Sequence, residues 1–167
     1  TDGNLWVGTE DGGLCFFDTQ TKTFRALTHL KWEGHPVSKN IQCLLIDKNV
    51  LWIGTIDNGI YQLDLKSQKL INHFTNENTV SGLLVNSVVC FKKTLLGEIL
   101  VGTTGGLCRY IRSENRFELV PELGWGFIHS IYEDTEHTLW VATMGRGVFA
   151  FTYNGENEKM VIKTIPF

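Results

Sequence analysis

Trp32 and Trp125 are the residues of this chain whose type and placement most suggest chemistry. Both stand in polar, turn-rich stretches, and Trp32 has Glu33 and His35 beside it. An indole face next to polar groups suits a sugar ring, which offers an apolar C–H face and a rim of hydroxyls. Arg146 lies between Gly145 and Gly147, a setting from which a guanidinium can grip an acid bidentately. With Asn58 from a neighbouring turn, the expected ligand-binding set is Trp32, His35, Asn58, Trp125 and Arg146. The alternative is that each tryptophan caps a stack of sheets and that Arg146 is simply solvated.

Catalytic patterns are weaker. Asp11 and Asp57 occupy matching places and invite reading as a glycosidase pair, but a carboxylate that recurs by copy is explained by the turn it makes. Asp18 and Asp64 match in the same way. His29, His35, His73, His129 and His137 are dispersed, without nucleophile-activating or metal-binding spacing. Cys15, Cys43, Cys90 and Cys108 form no CxxC pair and sit in apolar patterns, where a free thiol acts as a small hydrophobe. No catalytic residue, metal or cofactor is expected. Fifteen Lys and Arg against 18 Asp and Glu, scattered rather than clustered, argue against nucleic acid as a partner. No apolar run approaches the ~18 residues of a membrane helix, so direct membrane contact is not expected of this segment.

These residues hang on a repeat. Leu5-Trp6-Val7-Gly8-Thr9 recurs as Leu51-Trp52-Ile53-Gly54-Thr55, Ile99-Leu100-Val101-Gly102-Thr103 and Leu139-Trp140-Val141-Ala142-Thr143. Each pentad is followed by a glycine and an apolar strand, at Gly13, Gly59, Gly106 and Gly147. A strand precedes it in three copies, at Ile41 to Ile46, Val85 to Phe91 and Phe127 to Tyr132, and is missing from the first. A last strand begins near Phe24, Leu70 and Phe117, and near Met160 after a longer turn around Asn154-Gly155. Four short antiparallel strands at this period make a propeller blade. The fold class is therefore all-β, a β-propeller fragment of about fifteen strands, with copies at about 1–31 (partial), 37–78, 83–120 and 125–167. The tryptophans would wedge between sheets, the pentad glycines would admit close backbones, and Cys43, Ser87 and Ser130 are matched small residues on the first strand.

The phrase Phe127-Ile128-His129-Ser130-Ile131-Tyr132-Glu133-Asp134, followed by Leu139 to Thr143 and Gly147-Val148, resembles the regulator-propeller repeat of bacterial hybrid two-component sensors. Leu100 in place of tryptophan and Ala142 in place of glycine depart from that pattern. The resemblance implies the periplasmic part of an inner-membrane sensor that recognises carbohydrate fragments, with a histidine kinase elsewhere in the parent and no enzyme in this segment. A propeller glycosidase or polysaccharide lyase, and a protein-interaction scaffold, are the other readings, since propellers host all three. Thr1-Asp2-Gly3-Asn4 matches the turn before a pentad, so the first blade lacks its innermost strand. An open arc of blades is then expected to meet the rest of its propeller or to self-associate through its open faces.

Overall fold

The computed structural model describes residues 3–78, 80–153 and 160–165, with 152–153 and 160–165 described by their backbone. Strands β1 (Leu5–Thr9), β2 (Gly13–Asp18) and β3 (Thr23–Ala26) form a three-stranded sheet. A small hairpin follows, β4 (Lys31–Trp32) with β5 (His35–Pro36). The second blade is β6 (Ile41–Asp47), β7 (Val50–Thr55), β8 (Ile60–Asp64) and β9 (Lys69–Phe74). The third is β10 (Val88–Lys93), β11 (Ile99–Thr103), β12 (Leu107–Ile111) and β13 (Arg116–Leu119), and a 3-10 turn at Pro121–Leu123 leads out of it. The fourth is β14 (Ile128–Glu133), β15 (Leu139–Thr143), β16 (Gly147–Tyr153) and β17 (Met160–Ile165). Each sheet is an antiparallel meander in chain order, as a propeller blade requires. The turn expected around Asn154-Gly155 lies outside the described residues, as do Thr1 and Asp2.

Alternation inside the pentad builds the core. Successive side chains of a strand point to opposite faces, so the first and third pentad residues face the preceding blade and the second faces the following one. Leu51 and Ile53 accordingly pack with Trp6, Leu14 and Leu27 of the first blade. Ile99 and Val101 pack with Trp52 of the second, and Leu139 and Val141 with Leu100 of the third. Trp6, Trp52, Leu100 and Trp140 thus hold one register position, as their alignment requires. Trp52 is the most enclosed of the tryptophans, 2% exposed, with Tyr110 edge-on at 4.7 Å and Phe74, Phe91 and Phe117 around it. The outer faces of the first and fourth sheets have no neighbouring sheet among the described residues, and there Leu5 is 53% and Tyr132 63% exposed.

One alignment is corrected. On the innermost strands Cys43 meets Gly54, Cys90 meets Gly102 and Ser130 meets Ala142, each just after the same irregularity in register. Cys90, not Ser87, is therefore the third matched small residue. Strand β10 begins at Val88 rather than Val85, because Leu83 and Leu84 use their apolar side chains to pack an inter-blade loop onto the core. A methyl group on Gly54 would lie 2.5 Å from the Cys43 sulfur and 2.7 Å from Val88, which explains the glycine.

The other recurrent polar residues close turns. Thr9, Thr55, Thr103 and Thr143 each donate their hydroxyl to the carbonyl of the glycine that opens the next strand, at 2.8–3.0 Å. Asp18 accepts from the Gln20 and Thr21 N–H groups, and Asp64 from the Ser67 N–H and hydroxyl. The Thr21 and Ser67 N–H groups are the main cause that holds these two carboxyls below the usual range. Between blades, Asp47 receives Lys93 at 2.7 Å and Arg112 at 2.8 Å, and Glu133 accepts the Leu95 N–H at 2.8 Å.

If the wedge position carries the stack, Trp52→Ala costs about 3–5 kcal/mol, and Trp140→Ala, at a half-buried site, costs clearly less. Urea midpoints of the two variants check this, and equal losses would contradict it.

Candidate functional site

Two sets of loops meet on one face of the blades. The turn between the second and third strands bonds to the loop entering the next blade through Gly13 N–H to Lys39 C=O and Gly59 N–H to Asn86 C=O. It bonds to its own blade's entry through Ile56 to Asn40, Thr104 to Ser87 and Met144 to Phe127. The ion pairs of Asp47 lie at the opposite ends of the strands.

On the loop face, a cavity of about 530 Å³ is lined by Trp32, Glu33, His35, Asn58, Tyr61, His73, Thr75 and Asn78. The β4–β5 hairpin forms one wall. Glu33 and Gly34 have φ of 49° and 86°, the left-handed pair that a two-residue hairpin turn demands, and Trp32 pairs across it with His35. Blade two forms the other wall. Tyr61 and His73 are cross-strand partners whose rings stack at 3.9 Å and 4°, and Trp32 meets His73 edge-on at 6.0 Å. Asn58 braces this stack from above: its side-chain amide donates to the Tyr61 hydroxyl at 2.7 Å, and its carbonyl lies 2.8 Å from His73 Nε2. A carbonyl only accepts, so the proton of His73 belongs on Nε2.

Burial pushes the Tyr61 phenol above its ordinary value, and the Asp57 carboxylate adds to it while the Ser38 backbone opposes. Burial also holds His73 below the usual imidazole value, against the Asn58 carbonyl and the carboxylates of Glu33 and Glu77, which favour the cation. His73 is therefore neutral near pH 7.

The expected binding residues divide into two groups. Trp32, His35 and Asn58 line the same cavity. Trp125 and Arg146 sit two junctions further round, between blades three and four. There Arg146 donates Nη1 to the carbonyls of Leu123 and Trp125, at 2.5 and 3.0 Å, and lies over the Phe149 ring at 5.2 Å. Its guanidinium is thus engaged in holding the loop that presents Trp125, which is 66% exposed. Asp11 and Asp57 meet through Asn40, whose side chain accepts from the Asp11 N–H and donates to the Asp57 carboxylate. Ser38 also donates to Asp57 at 2.6 Å, so this carboxylate ties its turn to the entering loop rather than to the turn's own N–H groups.

Sequence reasoning passed over Tyr61 and His73. A signal for them exists, because the register position of Tyr61 holds Cys15, Cys108 and Phe149 in the other blades, and that of His73 holds Ala26, Leu119 and Thr164. Among the described residues, only the second blade places a polar side chain at both positions, a phenol and an imidazole.

Comparison with known proteins agrees with this architecture. Residues 122–145 match the two component regulator propeller family, from the turn that presents Trp125 through strands β14 and β15. The chain carries a two-component regulator propeller repeat. It is 30% identical over 177 residues to histidine kinase P4 of Formosa agariphila, covering 99% of this chain and 13% of that protein. It also superposes on the extracellular domain of BT4673 from B. thetaiotaomicron, described as a hybrid two component system, with a TM-score of 0.77 and 28% identity. That match covers 96% of this chain and 20% of the other. The extracellular domain of BT3049 from B. thetaiotaomicron gives a TM-score of 0.76 at 20% identity over 96% of this chain and 22% of the other, a likeness of fold. The chain thus spans about a fifth or less of the length of each of these relatives. No helix among its described residues is long and apolar enough to cross a membrane.

The buried imidazole sets a pH dependence. Below the ordinary imidazole value of about 6.5 the unfolded chain binds the His73 proton more readily than the folded one, so stability is fullest above that pH and declines as pH falls. The urea midpoint of the wild type should fall more steeply between about pH 7.5 and 5.5 than that of His73→Gln. Parallel profiles would show that His73 is not held neutral.

Proposed function

We propose that this segment is a ligand-sensing, carbohydrate-binding part of the extracellular region of a bacterial two-component sensor. The observation that carries the reading is the cavity beside Trp32, where an indole and a Tyr–His stack face polar groups across a space large enough for a sugar ring. A pyranose needs an apolar surface for its C–H face and acceptors and donors for its hydroxyls. Trp32 and His73 supply the first, and Glu33, His35, Thr75 and Asn78 the second. Asn58 acts here by positioning Tyr61 and His73.

The relatives support the wider setting. One is named a histidine kinase and two are described as extracellular domains of hybrid two component systems, so a periplasmic location and a kinase in the parent protein follow by analogy. In the same reading, the outer faces around Leu5 and Tyr132 are where further blades, or a second copy of the arc, attach.

Calorimetric titration of a panel of oligosaccharides tests the site. Trp32→Ala should weaken the best ligand at least about tenfold, as loss of a central aromatic anchor does, while Trp125→Ala leaves affinity near that of wild type. Affinity unchanged in Trp32→Ala, or lost only in Trp125→Ala, would move the site away from this cavity.

A further inference from the structure

The charge of this cavity is one-sided. Among the described residues that line it none is a lysine or an arginine, and Glu33, at the exposed tip of the hairpin, is the one acidic side chain. Resting on the carbohydrate reading above, we propose that the Trp32 cavity takes uncharged or amine-bearing saccharides and rejects uronic acids and sulfated sugars, with Glu33 setting the discrimination.

Sites built for sugar carboxylates or sulfates present a guanidinium or ammonium to them, because a desolvated anion without a cationic or multiple N–H partner is costly. Two cations of the loop face are engaged away from this lining. Arg146 is bonded to the Leu123 and Trp125 carbonyls, and Lys39 lines a separate, mainly apolar cleft on the first-blade side of the hairpin. The surrounding carboxylates all act in one direction. Glu77, fixed by Asn86 at 3.0 and 3.1 Å, joins Glu33 in acting on His73, and Asp57 acts on Tyr61. The imidazole of His73 offers no compensating charge, since it is half-buried and its Nε2 proton is directed at the Asn58 carbonyl. An incoming anion therefore meets Glu33 with no lysine or arginine among the described lining residues to balance it, whereas an ammonium group on a sugar finds a carboxylate and the negative face of Trp32.

Two like charges several ångströms apart at a protein surface correspond to a discrimination on the order of tenfold. The experiment is calorimetric titration of the 167-residue chain at about pH 8, where ordinary imidazoles are neutral, with matched neutral, 2-amino and uronate oligosaccharides of gluco, galacto and manno configuration. The wild type should bind neutral or amino members and bind their uronate counterparts about tenfold or more weakly. Glu33→Lys should reverse that order, and Glu33→Gln should fall between. A uronate as the tightest ligand, lost in Trp32→Ala, would leave the carbohydrate site standing and overturn its charge class. An unchanged ratio in Glu33→Lys would likewise overturn it. No binding by any member of the panel would overturn the carbohydrate reading and this one with it.

Discussion

Everything in this molecule depends on the need of each small sheet to bury both of its faces. A four-stranded sheet of five- or six-residue strands has too little area to be stable alone, and its side chains alternate between two sides. The pentad answers by sending its first and third residues one way and its second the other. Leu51 and Ile53 are fully buried toward the first blade while Trp52, between them, is buried toward the third. Stability is therefore a property of junctions between blades, and burial is nearly complete at the two junctions that the second blade makes.

The candidate site is a by-product of one such junction. Its floor residue, Tyr61, is 1% exposed and belongs to the core between the first and second blades. The hairpin that roofs it is part of the chain that crosses from one to the other. Because Trp32 packs on that same core, its indole is held while Glu33 and His35 project outward. The backbone bonds that tie Gly13 to Lys39 and Ile56 to Asn40 then fix the entering loop at its far end. The candidate site thus stands on a buried junction core, as a preorganised site would.

Repetition is what made the fold legible from sequence. Four pentads in register define the sheets, and turn glycines and threonines define how they are joined. The slip from Cys90 to Ser87 arose where Leu83 to Val85 carry an apolar pattern although they lie in a loop, since hydrophobic alternation cannot distinguish a strand from a loop packed on the core. The hairpin at Lys31–Trp32 and His35–Pro36 has strands of two residues, too short for any period to show. Trp32, His35 and Asn58 stood out because they interrupt the pattern in loops. Tyr61 and His73 did not, because in their strands they pass for ordinary members of an alternating sheet, and their pairing exists only once the register of β8 and β9 is known.

The central claim is that a junction core presents a rigid aromatic wall to a saccharide at Trp32. A crystal structure of the chain with a bound oligosaccharide tests it most directly. The account predicts a sugar ring lying against Trp32 and His73, with hydroxyls reaching Glu33 or Asn78 and the Tyr61–His73 stack unmoved. A ring seated instead at Trp125, or one that enters only after the Tyr61–His73 stack has come apart, would contradict it.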